Sequence, residues 1–174
     1  MILGLDISSS IIGYTVLDDE NNLVECECIR LEKFKDFFIK VKNVKNKLQE
    51  LARRFKIDNV YIEESLQAFT AGKSSAMTIQ ALSKINGTVS WLCYEIFDVT
   101  PEYISAGTAR KFCKIKVPKG EKAKPVVLAF VVDNEPQFAL EFTAKGNPVP
   151  GSFDKADSYV IAKAGSILCQ MNKK

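Results

Sequence analysis

The run Ile2-Leu3-Gly4-Leu5-Asp6-Ile7 constrains this chain more than any other stretch. Consecutive apolar residues of this density read as a strand covered on both faces, in the middle of a sheet. Yet the run carries an acid, Asp6, near its end. A carboxylate withdrawn from water is costly unless a cation or a proton meets it. Asp6 either caps the Ser8-Ser9-Ser10 turn or shares a site with other acids.

The strand, residues 2 to 8, leads through that turn into a second, Ile11 to Leu17. After the polar turn Asp18 to Asn22, a third strand, Leu23 to Leu31, alternates at Val24, Cys26 and Cys28. The chain is therefore expected to open as an antiparallel meander. A helix is expected from Glu32 to Phe55, with Phe34, Phe37, Phe38, Val41, Val44, Leu48 and Leu51 inward at spacings of three and four. Val60-Tyr61-Ile62-Glu63 is a fourth strand that again ends in an acid. Glu64 follows directly, but strand neighbours face opposite sides, so only one of the two can stand with Asp6.

Residues 65–73 read as a loop carrying Phe69 and Lys73, and Ser74-Ser75 can cap a helix from Ala76 to Phe97. That helix has only Lys84 and Glu95 as charges. Its face Leu82, Ile85, Val89, Leu92, Ile96 can cover the sheet. Its second face, Met77, Ala81, Thr88 and Trp91 beside Gly87, needs a neighbouring helix or a second subunit. Next come a strand, Val99 to Ile104, a short helix from Ser105 through Cys113, and a basic loop, Lys114 to Lys124. Pro125 suits the first turn of a helix reaching Asp133. Asn134 to Gly151 reads as a mobile loop, and a last helix runs from Ser152 to Gln170.

In that last helix Asp154 and Asp157 lie three apart and share a face. The face continues as Ile161, Ala164 and Leu168, so the two carboxylates are expected to aim at the sheet. A helix N-terminus favours negative charge by only about 0.3–1 kcal/mol, little against repulsion among clustered acids.

Composition narrows the chemistry. Histidine is absent, which excludes Ser/His/Asp and Cys/His catalysis and His-ligated zinc. The five cysteines, an odd number at scattered positions, do not read as a disulfide framework. Cys26 and Cys28 face one side of their strand, where core packing is the simplest reading. Residues 1–29 hold six acids and no base; residues 30–56 hold ten bases against three acids, and residues 105–125 seven bases against one. An acidic pole beside basic stretches suits a polyanion near a metal site, although a solvated lysine-rich helix face accounts equally well for residues 30–56. No stretch is apolar enough for a membrane span, and Met1 to Asp6 lacks the basic start of a signal peptide, so a cytoplasmic protein, of a bacterium or an infected host cell, is expected. The 174 residues suit one domain.

Taken together, the element order, the acids ending two strands and the closing D-x-x-D resemble the ribonuclease H-like fold: a mixed five-stranded sheet, three antiparallel strands first and parallel strands after, flanked by helices. More narrowly the chain looks like the RuvC family of Holliday-junction resolvases. Ile2 to Asp6 with Gly13-Tyr14 resemble that family's opening strand pair, Val60 to Glu63 its second acidic motif, and Asp154-Lys155-Ala156-Asp157-Ser158 its D-x-A-D motif. Glu63-Glu64-Ser65-Leu66-Gln67 with Gly72-Lys73-Ser74-Ser75 look like versions carried by bacteriophages.

The resemblance implies a homodimeric endonuclease that resolves four-way DNA junctions by paired symmetric nicks, with its dimer contact through the Ala76 to Phe97 helix. Asp6, Glu63, Asp154 and Asp157 match the family's catalytic acids, which hold two Mg²⁺ or Mn²⁺ ions per site. Lys122 matches a basic residue near the scissile phosphate, Arg110 or Lys111 falls near another, and Lys119, Lys124 and Lys73 are further candidates for DNA contact. Glu64 departs from the amide commonly found there. Phe69 is the candidate for the aromatic that wedges into the junction, with Leu66 as its competitor. The chemistry agrees with the resemblance: clustered carboxylates need cations, and oxygen-only ligation suits hard divalent ions. The rivals are a related nuclease acting on other branched DNA or RNA/DNA hybrids, a junction-binding protein without catalysis, and a nucleotide-binding module resembling actin. The last shares the opening hairpin, but the chain is short for two such halves and has no second Asp-x-Gly-Gly loop.

Overall fold

The computed structural model describes residues 1–64 and 76–172. Strands β1 (Ile2–Ile7), β2 (Ile11–Leu17) and β3 (Leu23–Arg30) form the expected meander, and β4 (Asn59–Glu63) and β5 (Glu102–Ile104) complete a sheet of order β3-β2-β1-β4-β5. β1 pairs antiparallel with β2 and parallel with β4, and β5 continues parallel to β4. The helices are α1 (Phe37–Arg54), α2 (Ala76–Phe97), α3 (Ala106–Phe112), α4 (Ala123–Asn134) and α5 (Ser152–Asn172). No described helix is long and apolar enough to cross a membrane.

Period-two alternation divides β1 between two cores. Leu3, Leu5 and Ile7 face α1 and α2, packing with Val44, Leu48, Leu51, Ile85 and Val89. The alternate residues face α5. An added Cβ at Gly4 would lie 2.6 Å from both the Ala162 nitrogen and the Ser158 carbonyl oxygen, and one at Gly13 would strike the Asp154 carbonyl. α5 therefore lies on β1 and β2 at a distance that only glycine allows. Thr15, between them across the sheet, bonds Ser158 hydroxyl to hydroxyl at 2.9 Å. The α5 stripe is buried as expected at Ile161 and Ala164 and half-buried at Leu168.

Several boundaries depart from expectation. α1 starts at Phe37 rather than Glu32, because Phe34 closes a turn on Leu31 and the Asp36 side chain accepts the Ile39 N–H as N-cap. Starting there, the helix turns Val41, Val44, Leu48 and Leu51 to the sheet and leaves Phe38 74% exposed, not inward. β5 is only three residues long, since Pro101 cannot donate to the ladder. α4 starts at Ala123, so Lys124 is helical rather than part of a loop; Pro125 sits in the first turn, where its missing N–H costs nothing. Residues 141–149 fold back on themselves through a bridge between Phe142 and Pro148, with Val149 N–H on the Glu141 carbonyl. α2 presents Ile85, Val89 and Leu92 to the core, whereas Met77, Trp91 and Tyr94 stay exposed.

Gly4→Ala tests the α5 contact. Neither Ser158 nor Ala162 can yield without moving the helix backbone, so urea titration should record a loss of about 1–3 kcal/mol in unfolding free energy.

Candidate active site

Four acids meet at the C-terminal ends of the central parallel strands. Asp6 lies on β1 opposite Gly13, on the α5 face. In the parallel pairing of β1 with β4, Leu5 stands against Ile62, so the residues that follow each, Asp6 and Glu63, come in step on that same face. Glu64 is exposed, and its N–H is given to the Ile104 carbonyl. Gly13 completes the arrangement: with no Cβ, it lets the first turn of α5 down onto the strand pair, and Asp154 and Asp157 come with it.

Burial and mutual repulsion act on this group together. Burial, then the carboxylates of Glu63, Asp157 and Asp154, push Asp6 well above the ordinary range for Asp. Burial raises Glu63 from 4.5 to about 7, helped by Asp157 and opposed by Lys124 and Arg110. Asp157 is raised as well, chiefly by burial, with Lys124 pulling the other way. The Lys124 ammonium is 3.5 Å from Asp157 and 3.8 Å from Asp154. Burial works against that charge, but the carboxylates of Asp157, Asp154 and Asp6 outweigh it and hold its pKa above the ordinary value.

Lys124, expected as a DNA contact, reaches the acids, and Lys122, expected near the scissile phosphate, does not. Lys122 occupies the exposed N-cap position of α4 and makes no side-chain capping bond. The helix starts there because Pro125 tolerates the first turn, and two residues further on Lys124 points at α5. Arg110 of α3 acts electrostatically on Glu63 and Asp157. Arg110 and Lys111 also line a cavity of about 460 Å³ with Lys114 and Lys116, two residues not singled out beforehand. Their signal was the density of bases after Ser105. What places them is the end of α3, where Lys114 takes a left-handed φ of 58° and Ile115 N–H bonds the Arg110 carbonyl at 2.8 Å. That turn buries Ile115 and leaves a base on either side of it. Lys119 lies exposed in the following loop. Phe69, Leu66 and Lys73 fall outside the described residues. Cys26 and Cys28 are packing residues: Cys26 takes a bond from Thr15 at 3.2 Å, and Cys28 lies under Gly151.

The donor set suits a hard divalent cation. It is all oxygen, it carries more negative charge than Lys124 and Arg110 answer, and a cationic group already stands between two of its members. Among the described residues, no three acids or cysteines converge closely enough in this arrangement to enclose one ion.

No protein-family model matches the sequence, and no curated protein matches it significantly. Solved structures do share its fold. *Thermus thermophilus* RuvC in complex with Holliday junction substrate aligns over 98% of this chain and 94% of its own, at 15% identity and a TM-score of 0.68. A second *Thermus thermophilus* RuvC structure aligns over 98% and 96%, at 18% identity and a TM-score of 0.66. The yeast mitochondrial Holliday junction resolvase Ydc2 aligns over 99% and 80%, at 13% identity and a TM-score of 0.58. The chain thus has the ribonuclease H-like fold of these proteins.

The raised acids make a test that needs no substrate. An acid whose folded pKa exceeds its unfolded one stabilises the fold while protonated. Its contribution is complete below the unfolded value and is lost as pH rises through the folded value. For Glu63 that window runs from 4.5 to about 7. Without divalent ions, the protein should lose on the order of 2 kcal/mol of stability between pH 5 and 8, and Glu63→Gln should flatten that profile. Denaturant melts across the range check both.

Proposed function

We propose that the chain is a metal-dependent endonuclease of the RuvC kind, cutting four-way DNA junctions by paired symmetric nicks. The observation that carries this reading is the meeting of Asp6, Glu63, Asp154 and Asp157 from three separate elements at one end of the sheet. The shared fold with Holliday-junction resolvases supports it. The absence of histidine is consistent with it, since carboxylate-held metal needs none.

Asp6, Glu63, Asp154 and Asp157 would hold Mg²⁺ or Mn²⁺, two ions per site. The chemistry such a pair supplies is activation of a water and stabilisation of the leaving oxygen in an in-line phosphoryl displacement. Asp6 contributes position: β1 has paired neighbours on both sides, and its carboxylate cannot drift. Asp154 and Asp157 depend on the seating of α5. Lys124 takes the role the sequence assigned to Lys122. Its ammonium offsets part of the carboxylates' charge in the resting protein and is placed to stabilise charge gathering on the phosphate. Arg110 stands as a second cation behind Glu63.

The test is a labelled four-way junction, a linear duplex and a flap, each incubated with Mg²⁺, Mn²⁺ or EDTA. Paired nicks in the junction alone, dependent on metal, are expected; ATP binding without cutting would overturn the reading. Asp157→Asn should abolish cutting and leave junction affinity within a few-fold. Lys124→Ala should slow cutting by about 100-fold, whereas Lys122→Ala should leave it within about three-fold.

We also propose a homodimer formed through α2. Trp91 is 58% exposed and Tyr94 52%, on a helix whose Ile85, Val89 and Leu92 pack in the core. Large aromatics of this kind anchor interfaces, and a two-fold contact would use the same face twice. Sedimentation should give a dimer for the parent protein and a monomer for Trp91→Glu, with unchanged far-UV circular dichroism.

A further inference from the structure

Several bases of residues 30–56 are paired: Arg30 with Glu32, Lys45 with Glu95, Lys47 with Glu50, Arg54 with Glu25 and Glu50, and Lys56 with Asp58. Near the start of α1 the pattern changes. Lys35 and Lys40, with Lys84 from α2, line a cavity of about 280 Å³ together with Ser9 and Phe37, and no acid lines it among the described residues. None of these three lysines has an ion pair there. Two of them are nevertheless held in place. Lys40 donates to the Ser9 carbonyl at 2.5 Å, and the Lys84 ammonium sits 4.1 Å from the centre of the Phe37 ring. Among the described residues, the cluster is thus a set of cations without an anion, two of them positioned.

Its location gives it a use. Ser9 belongs to the turn that follows β1, three residues after Asp6, so their Cα atoms are at most about 11 Å apart. A strand with one phosphate at the acids therefore has a neighbouring phosphate within reach of this turn. The cavity opens on the α1 and α2 side of the sheet, and the acids stand on the α5 side of the same end.

We infer that the cavity between the β1–β2 turn, α1 and α2 is a second anion-binding site, which takes backbone phosphates of the DNA strand cut at the acids. The inference rests on the nuclease reading above and adds to it a binding role for Lys35, Lys40 and Lys84. These residues add affinity for the strand and take no part in the chemistry. Phosphate contacts of this kind position a duplex without reading its sequence.

The experiment uses the full chain and a fluorescein-labelled four-way DNA junction. Lys35→Ala, Lys40→Gln and Lys84→Gln are combined in one variant. A control combines Lys42→Gln, Lys45→Gln and Lys56→Gln, which removes the same charge from lysines that do not line the cavity. Junction affinity is measured across a salt series, and cutting at saturating protein. The cavity variant should bind about 10–100-fold more weakly, with its salt slope reduced by two to three, and should still cut within about three-fold of the parent at saturation. Unchanged affinity and slope would overturn the inference, as would an equal loss in the control. A melting temperature matching the parent's is the check that the variant is folded. If it melts lower, Lys35→Ala alone, which removes no bond or ring contact, should still reduce the slope by about one. A parent protein that binds no junction would sink the nuclease reading itself, an outcome distinct from the other two.

Discussion

The approach of α5 to the sheet is the contact on which the rest of the structure depends. Helices usually rest on sheets through side chains. Here the helix backbone lies against β1 and β2, and the spaces at Gly4 and Gly13 are already filled by Ser158, Ala162 and the Asp154 carbonyl. Close packing leaves interiors little room to adjust. The helix therefore has one seating, and the Thr15–Ser158 hydrogen bond fixes it along its axis. Two carboxylates on the first turn inherit that precision. Had α5 stood off by the width of a side chain, Asp154 and Asp157 would share no space with Asp6.

That same contact concentrates charge in a half-buried site. Asp6 and Glu63 arrive from the sheet and two aspartates from the helix, and each raises the cost of ionising the others. Lys124 offsets part of this from 3.5 Å, though its side chain remains 58% exposed. Such a site weakens the metal-free fold at neutral pH and strengthens whatever cation completes it. Local destabilisation of this sort belongs with function, since nothing in the packing of β1 requires an acid.

What could be read from the sequence follows from period and register. Alternation allowed one of Glu63 and Glu64 to stand with Asp6, the resemblance chose Glu63, and a spacing of three put Asp154 and Asp157 on one helix face; the register of β1 with β4 then brings Glu63 level with Asp6. The glycines were visible in the sequence, but the helix they accommodate was not. Residues whose place depends on where a helix starts were harder. Pro125 permits any position in the first turn, and a shift of two residues moved Lys124 from a loop to the carboxylates. Asp36 likewise reset α1 and turned Phe38 outward. Lys114 and Lys116 depend on a left-handed residue at the end of α3, a position where glycine is the usual signal and none stands.

The charge map then follows from the topology. β1 and β4 run parallel, so their C-terminal ends share one edge, and every element that begins or ends there is drawn around the acids. The β1–β2 turn, the start of α1 and the start of α5 all lie at that edge. The two basic cavities open on different helices, one shared by α1 and α2 and the other at the end of α3, and Arg110 in the latter acts directly on Glu63. An acidic centre alone would repel a polyanion. With Lys35, Lys40 and Lys84 on one layer and Arg110, Lys111, Lys114 and Lys116 on the other, the repulsion is confined to the point where a divalent cation would stand. On the proposed reading, a nucleic-acid strand would be attracted on either side of the acids and opposed only at the phosphate facing them. Binding and cutting would then be set by different residues.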